Sequence, residues 1–242
     1  MNGVLVIDKP AGFTSHDAVA VVKKKLGAKK VGHLGTLDPL ATGVLVLVID
    51  GATKYARYLD NGKKEYLSTL KLGEETDTYD SEGRVLASCD PSSVKEEDIE
   101  KAFSSFRGSI RQVPPMYSSI KKNGVPLYKL ARKGIMVERE PREVEIISIE
   151  VTKIFMPYVE FKTVCSKGTY IRSICFDAGR LIGCGAHMTG LRRTACGEFT
   201  IREAVSPEEE AESLRSRIIP LNEALKRESA DIIIPEASAA VS

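Results

Sequence analysis

The chain lacks several features that would have pointed to other chemistries. No stretch of its 242 residues approaches the roughly 18 consecutive apolar residues of a membrane span. The start, MNGVLVIDKP, has no basic segment followed by a long apolar one, so no signal peptide is expected. There is no GxGxxG fingerprint, no phosphate-loop pattern and no internal repeat. The five cysteines, Cys89, Cys165, Cys175, Cys184 and Cys196, are odd in number and irregular in spacing, and none forms a CxxC pair. Cys184 and His187 lie three apart without a second ligand pair to accompany them. Small packed thiols in a reduced, cytoplasmic protein are expected, with no structural metal.

What is present fits one large domain. The apolar fraction of 43% supplies a sizeable core, and 28% charged residues is ordinary for a globular chain. The net charge of +2 is unevenly spread, with net +5 over residues 1–72, −8 over 73–100 and +7 over 101–143. Two basic regions flanking an acidic one fit either a polyanion-binding face or ordinary solvated surface.

Periodicity predicts a strand at residues 3–7, then a helix capped by Thr14 with Asp17 three residues on, running to a stop at Gly27. The run 44–49 is apolar and rich in β-branched residues, as in a strand buried on both faces. A short helix is predicted over 53–59 and a strand over 65–72. Residues 73–84, GEETDTYDSEGR, are acidic and turn-rich and read as an exposed loop. Ser93 with Glu96 predicts a helix to about residue 106. Residues 107–142 read as a basic surface insertion with Pro114-Pro115, Tyr117 and Tyr128. Strands are predicted over 144–155, 158–165, 191–193 and 198–201, and a helix over 170–181. This mixture without regular βαβ alternation indicates an α+β fold.

The stretch GHLGTLDPLATGVL, residues 32–45, holds one carboxylate, Asp38, between turn-forming glycines and a proline at the mouth of the buried strand. A carboxylate so held can act as nucleophile or general base. Taken alone, it can equally close an Asx-turn.

This stretch resembles the catalytic motif of the TruB-type tRNA pseudouridine synthases. Four further segments resemble that family's motifs in order: LVIDKPAGFTSHD, KEYLSTLKLGEETDTYDSEG, PPMYSSIKKNGVPLYKLARKG and CSKGTYIRSICFDAGRLIGCGAHMTGLRRTACGEF. The resemblance runs from about residue 3 to 201. It implies that Asp38 is the catalytic aspartate, that Tyr66 stacks on the target base, and that Arg172 pairs with the catalytic carboxylate. An arginine so placed is expected to depress the pKa of Asp38. The resemblance further implies that Leu191 lines the base pocket, that His33 helps reshape the RNA loop, and that Lys9 and Lys64 belong to the pocket. Each also has a plain structural reading: a helix-start ion pair for Arg172, strand packing for Tyr66, a turn histidine, a core leucine.

The implied fold is that of the pseudouridine synthases, a mixed, mostly antiparallel central sheet flanked by helices and carrying an RNA-binding insertion. A catalytic domain at 1–228 is expected, with the insertion at about 107–142 and a tail at 229–242. The residues after Ile201 are too few, and too acidic, for a full PUA domain. The implied substrate is uridine 55 in the tRNA T-stem-loop, modified without cofactor or metal, by a monomer without guide RNA. Lys121, Lys122, Lys129, Arg132 and Lys133 are the candidate phosphate contacts. The rival readings are a non-catalytic RNA-binding or RNA-folding module and a glycosidase. The second needs another pocket acid, for which the motifs offer no strong candidate.

Overall fold

The computed structural model describes residues 1–60 and 62–228; the tail at 229–242 lies outside the described residues. The first half contains β1 (Gly3–Lys9), α1 (Ser15–Leu26), β2 (Val31–Leu34), β3 (Thr42–Ile49), α2 (Ala56–Leu59), β4 (Lys64–Leu72), β5 (Glu74–Thr76), β6 (Val85–Ser88) and α3 (Glu96–Ser104). Next come β7 (Gly108–Gln112), β8 (Lys121–Lys122), β9 (Val125–Pro126), α4 (Leu127–Ala131), β10 (Arg142–Phe155) and β11 (Tyr158–Cys165). The remainder is α5 (Ile171–Ile182), β12 (Ala186–Cys196), β13 (Phe199–Thr200), α6 (Ala211–Ser216), β14 (Ile219–Pro220) and α7 (Leu221–Glu228).

The central sheet runs β14-β1-β3-β12-β4-β11-β10-β7, with β2 beside β3 and β13 beside β12. Among the described strands its pairings are antiparallel except one: β12 runs parallel to β3, with Arg192 opposite Thr42 and Arg193 opposite Gly43. That contact joins the two halves of the sheet and sets the loop before β3 above β12. The fold is therefore α+β with a mixed, mostly antiparallel sheet.

β3 is buried on both faces, as its unbroken apolar run predicts. Leu45, Leu47 and Ile49 enter a cluster with Val22 and Leu26 of α1 and Ile174 of α5. Val44, Val46 and Val48 enter a second with Leu59, Phe199 and Leu225. Each such side chain contributes about 1.5–3 kcal/mol on burial, so β3 is a rigid post for the loop that precedes it. α1 is capped as expected: the Thr14 hydroxyl accepts from the Asp17 N–H, and Gly27 ends the helix at φ 63°. Among the described residues, no helix is long and apolar enough to cross a membrane.

Four expectations need correction. Ser93 does not cap α3; it belongs to a tight turn, Pro91–Ser93, which Asp90 caps by accepting from the Ser92 N–H, and the helix begins at Glu96 and ends at Ser104. Residues 73–84 are not simply an exposed loop, because Thr76, Thr78 and Asp80 are buried. Their polar groups satisfy one another: Thr76 Oγ1 donates to the Asp80 carbonyl at 2.7 Å and Thr78 Oγ1 to the Asp80 carboxylate at 2.6 Å. The segment predicted as a surface insertion begins inside the fold. Gly108–Gln112 is a sheet strand, and Pro114, Pro115, Met116 and Ser118 are buried. The chain leaves the sheet after Gln112 and returns at Arg142, directly opposite it. Finally, β12 spans Ala186–Cys196 rather than three residues, and α6 and α7 were not predicted.

Candidate active site

Asp38 sits in the connection between β2 and β3, and that connection is held by its backbone. Ser15 Oγ donates to the Leu37 carbonyl at 3.1 Å and accepts from the Leu37 N–H at 2.9 Å. The buried Lys9 ammonium donates to the carbonyls of Pro10, Phe13 and Pro39 at 2.8, 2.6 and 3.3 Å. Three N–H donors thus meet three acceptors, and the turn after β1 is tied to the Asp38 loop. Arg193, fully buried on β12, donates from Nη2 to the Gly35 carbonyl at 2.9 Å and from Nε to the Val44 carbonyl at 2.7 Å. Gly35 takes φ +67°, where L side chains are strained. Among the described residues no backbone N–H donates to the Asp38 carboxylate, so the Asx-turn reading does not hold.

The carboxylate faces Arg172 instead. Arg172 Nη2 donates to Asp38 Oδ1 at 3.1 Å, and Nε lies 3.0 Å from Oδ2. The guanidinium also donates to the carbonyls of Thr78 at 3.0 Å and Tyr117 at 2.7 Å, and stands 3.5 Å from an Asp80 carboxylate oxygen. Arg172 is 4% exposed while a third of the Asp38 side chain reaches solvent. The arginine is a fixed floor and the carboxylate is open above it.

The sequence led us to expect a depressed Asp38 pKa. The structure reverses that: burial raises it above the ordinary carboxylate value, Asp80 adds to the rise, and Arg172 opposes without overcoming it. Glu82 is raised as well, by burial first and then by Asp80 and Asp38. Burial brings Lys9 down to about 8, with Asp38 pulling the other way.

Tyr66 lies on β4 directly opposite Arg193 of β12 and Thr163 of β11. It is 7% exposed, and burial pushes its hydroxyl up to about 12 against the nearby Arg193 guanidinium. Leu191, opposite Ser68, shares that face and is partly buried against the core. Ser68 Oγ and Thr163 Oγ1 are buried there without partners among the described residues. Lys64 is buried one strand-step away, donating to Asp60 at 2.8 Å and to the Gly62 carbonyl at 3.2 Å. Tyr66, Leu191, Ser68 and Thr163 thus share one face of the sheet, polar-lined and with one aromatic member.

His33 stands apart on β2. Its ring meets His16 edge-on at 5.4 Å, its Nδ1 is buried and unpartnered among the described residues, and burial lowers its pKa, so it is neutral at pH 7. Lys121, Lys122, Lys129, Arg132 and Lys133 are all exposed on the β8–β9 hairpin and around α4. Lys122 donates to the Glu138 carbonyl at 2.8 Å, and Arg132 lies over the Tyr128 ring. These basic residues are not brought to the carboxylate.

Sequence reasoning missed four groups at the site. Asp80 is a second buried carboxylate, concealed in an acidic stretch that reads as solvated. Its partners are Arg172, the Thr78 hydroxyl and the Glu82 N–H, so it is not a free acid of the kind a glycosidase needs. Arg193 pins the loop, and the doubled arginine at 192–193 was a signal for it. Tyr170, which caps α5, exchanges backbone bonds with the Gln112 side chain, and its hydroxyl is raised by burial and opposed by Ser118. The Tyr117 carbonyl makes the insertion part of the floor. Among the described residues, no three His, Cys, Asp or Glu side chains gather as a metal site requires.

Residues 23–171 match the TruB family pseudouridylate synthase N-terminal domain, and residues 172–226 match the tRNA pseudouridylate synthase B C-terminal domain. A tRNA pseudouridine synthase B of Clostridium tetani is 51% identical over 228 residues, covering 94% of this chain and 79% of the relative. One of Opitutus terrae is 48% identical over 206 residues, covering 85% of this chain and 86% of the relative. Among solved structures, a chain of a Cbf5-Nop10-Gar1 complex superposes with a TM-score of 0.73 at 31% identity, covering 93% of this chain and 62% of that one. A chain of an H/ACA RNP bound to a substrate RNA containing 2'-deoxyuridine gives 0.69 at 28% identity, covering 93% and 61%. This chain spans about three fifths of the length of those two solved chains.

Proposed function

Because the chain belongs to the TruB family of pseudouridylate synthases, we propose that it isomerises uridine to pseudouridine in tRNA, at position 55 of the T-loop. The observation that carries this reading is the Asp38–Arg172 pair, a partly solvent-open carboxylate fixed by a buried guanidinium. The isomerisation breaks the C1′–N1 bond, turns the uracil and joins C1′ to C5. The C5 hydrogen leaves as a proton and N1 gains one, so no electron changes hands and no cofactor is required. Attack by Asp38 on the sugar, attack on the ring, and abstraction of a proton all demand its ionised form. Arg172 supplies the countercharge for that anion in a site that burial otherwise makes unfavourable to it.

The base must leave its stack to reach Asp38, at a cost of a few kcal/mol. Stacking on Tyr66 returns about 1–3 kcal/mol, with Leu191 on the same face. His33, neutral and partly open, would meet the displaced loop. Lys9 ties the backbone of the Asp38 loop, and Lys64 gives its ammonium to Asp60 and the Gly62 carbonyl. Lys121, Lys122, Lys129, Arg132 and Lys133 would take the T-stem-loop phosphates. The enzyme so described works as a cytoplasmic monomer without guide RNA.

The test is tritium release from C5-labelled uridine in an unmodified tRNA transcript, by the native chain and by Asp38→Asn. Release by the native chain alone supports the proposal. Binding without release by either makes the protein an RNA-binding module.

A further inference from the structure

Arg172, Phe176 and Arg180 are spaced four apart on α5 and so share one face of the helix. Each meets the segment 75–80. Arg172 takes the Thr78 carbonyl and the Asp80 carboxylate. Phe176 stacks on Tyr79, ring centroids 3.9 Å apart and planes at 17°. Arg180 lies 4.3 Å from the Phe176 centroid and donates from Nε and Nη2 to the two Glu75 oxygens at 3.2 and 3.4 Å. The acidic segment is strapped to α5 along three successive turns.

Tyr79 is the odd member of that strap. Its φ is +65°, a conformation a bulky L residue adopts at a cost and keeps only where its surroundings fix it. Backbone bonds also reach it: the Met188 N–H donates to its carbonyl at 3.0 Å, the Tyr79 N–H donates to the Thr76 carbonyl at 3.3 Å, and the Ser81 N–H donates to the Met188 carbonyl at 2.9 Å. On the helix side its ring stacks on Phe176. The residues on either side of Tyr79 both engage Arg172, alongside the Tyr117 carbonyl and Asp38. Displacing Tyr79 therefore moves the Thr78 carbonyl and the Asp80 carboxylate together, and Arg172 with them.

We infer that Tyr79 is a positioning residue: stacked on Phe176, it fixes Thr78 and Asp80 against Arg172 and so sets the Arg172–Asp38 pair. It touches neither substrate nor Asp38. Its effect on rate rests on the proposed isomerase reading; its effect on Arg172 does not.

The test compares Tyr79→Phe, which keeps the stack, with Tyr79→Gly, which eases the backbone and removes it. Three quantities are read in the full chain: the single-turnover rate of tritium release at saturating tRNA, the tRNA dissociation constant, and the hydrogen-exchange rate of the Arg172 Nε–H by NMR. Tyr79→Phe should keep all three within about twofold. Tyr79→Gly should slow release about tenfold, the upper range for losing one aromatic pair. Its dissociation constant should be unchanged and its Arg172 exchange faster. Native release and native Arg172 exchange in Tyr79→Gly would overturn the inference. So would weakened tRNA binding with the saturated rate intact, which would make Tyr79 an RNA contact. Should Tyr79→Gly not fold, Phe176→Leu removes the stack from the helix side and must give the same pattern. If the native chain releases no tritium, the isomerase reading fails, while the exchange rate of Arg172 still decides the role of Tyr79.

Discussion

Two neighbours of Asp38 should move its titration in opposite directions. Its carboxyl is raised by burial and by Asp80 and lowered by Arg172. A group so raised loses its negative charge as pH falls through that higher value, so the acid limb of the rate profile reports it. Arg172→Gln removes the lowering charge, 3.0 Å away at its nearest, and the limb should move to higher pH. Two unit charges about 4 Å apart interact by about 4 kcal/mol at an effective dielectric of about 20. A third of the Asp38 side chain is open to water, which screens the pair, leaving about 1–2 kcal/mol, or roughly one pH unit. Asp80→Asn removes the raising charge and keeps the shape. It stands behind the guanidinium, so the limb should drop by about half a unit. The assay is single-turnover tritium release across the acid limb for the native chain and both variants. Limbs that move the same way, or that stay put, would refute the claim that ionised Asp38 controls the rate.

Lys9→Met should change how stability varies with pH. The native lysine is lowered to about 8, from 10.5 unfolded, so the unfolded chain binds more protons between those values. The native chain should therefore gain on the variant by on the order of 2–3 kcal/mol as pH rises from 8 to 10.5. Urea melts at pH 7, 8 and 10 check this, and a constant difference refutes it. Gly43→Ala should destabilise strongly, since its Cβ would be driven into the Arg193 carbonyl oxygen on the parallel β3–β12 pairing. Gly12→Ala has open space around its Cβ and should lose only the positive-φ strain, about 1 kcal/mol; equal losses in thermal melts would contradict this. Reversing the charges at Lys121, Lys122, Lys129, Arg132 and Lys133 should weaken tRNA binding generally and flatten its salt dependence. An unchanged slope removes them from the phosphate contacts.

The sequence was most informative where local pattern and tertiary role coincide. β3 reads correctly because an unbroken Val/Leu/Ile run has one good solution, burial on both faces. α1 reads correctly because Thr14, Asp17 and Gly27 act locally. Asp38 stands out because turn residues crowd it. Asp80 does not, because its burial depends on Arg172, 92 positions later in the chain, and acidic residues are ordinarily exposed. Arg193 escapes notice for the same reason: a fully buried arginine is justified only by the carbonyls of Gly35 and Val44, which no local window contains. β12 was cut short because Gly190 and the arginines interrupt its alternation, and two bulges against β4 shift its register. The sign of the Asp38 shift was missed because charge pairing is legible from a motif and desolvation is not.

The same geometry answers why a carboxylate is held in a tight turn at the mouth of a buried strand. Rigidity could have come from donors aimed at the carboxylate itself, but each would lower its pKa and occupy a lone pair the reaction needs. Here the cations near the loop bond elsewhere. Lys9 takes the Pro39 carbonyl, and Arg193 takes those of Gly35 and Val44. Lys64 packs its stem toward Gly35 and spends its ammonium on Asp60. Ser15 fixes Leu37 from α1. β3, locked in two apolar clusters, anchors the far end. The backbone on both sides of Asp38 is thereby fixed by groups that leave its oxygens alone, and among the described residues Arg172 is the single cation in contact with them. The loop is rigid where positioning demands it, and the carboxylate stays raised, partly open to solvent and chemically available.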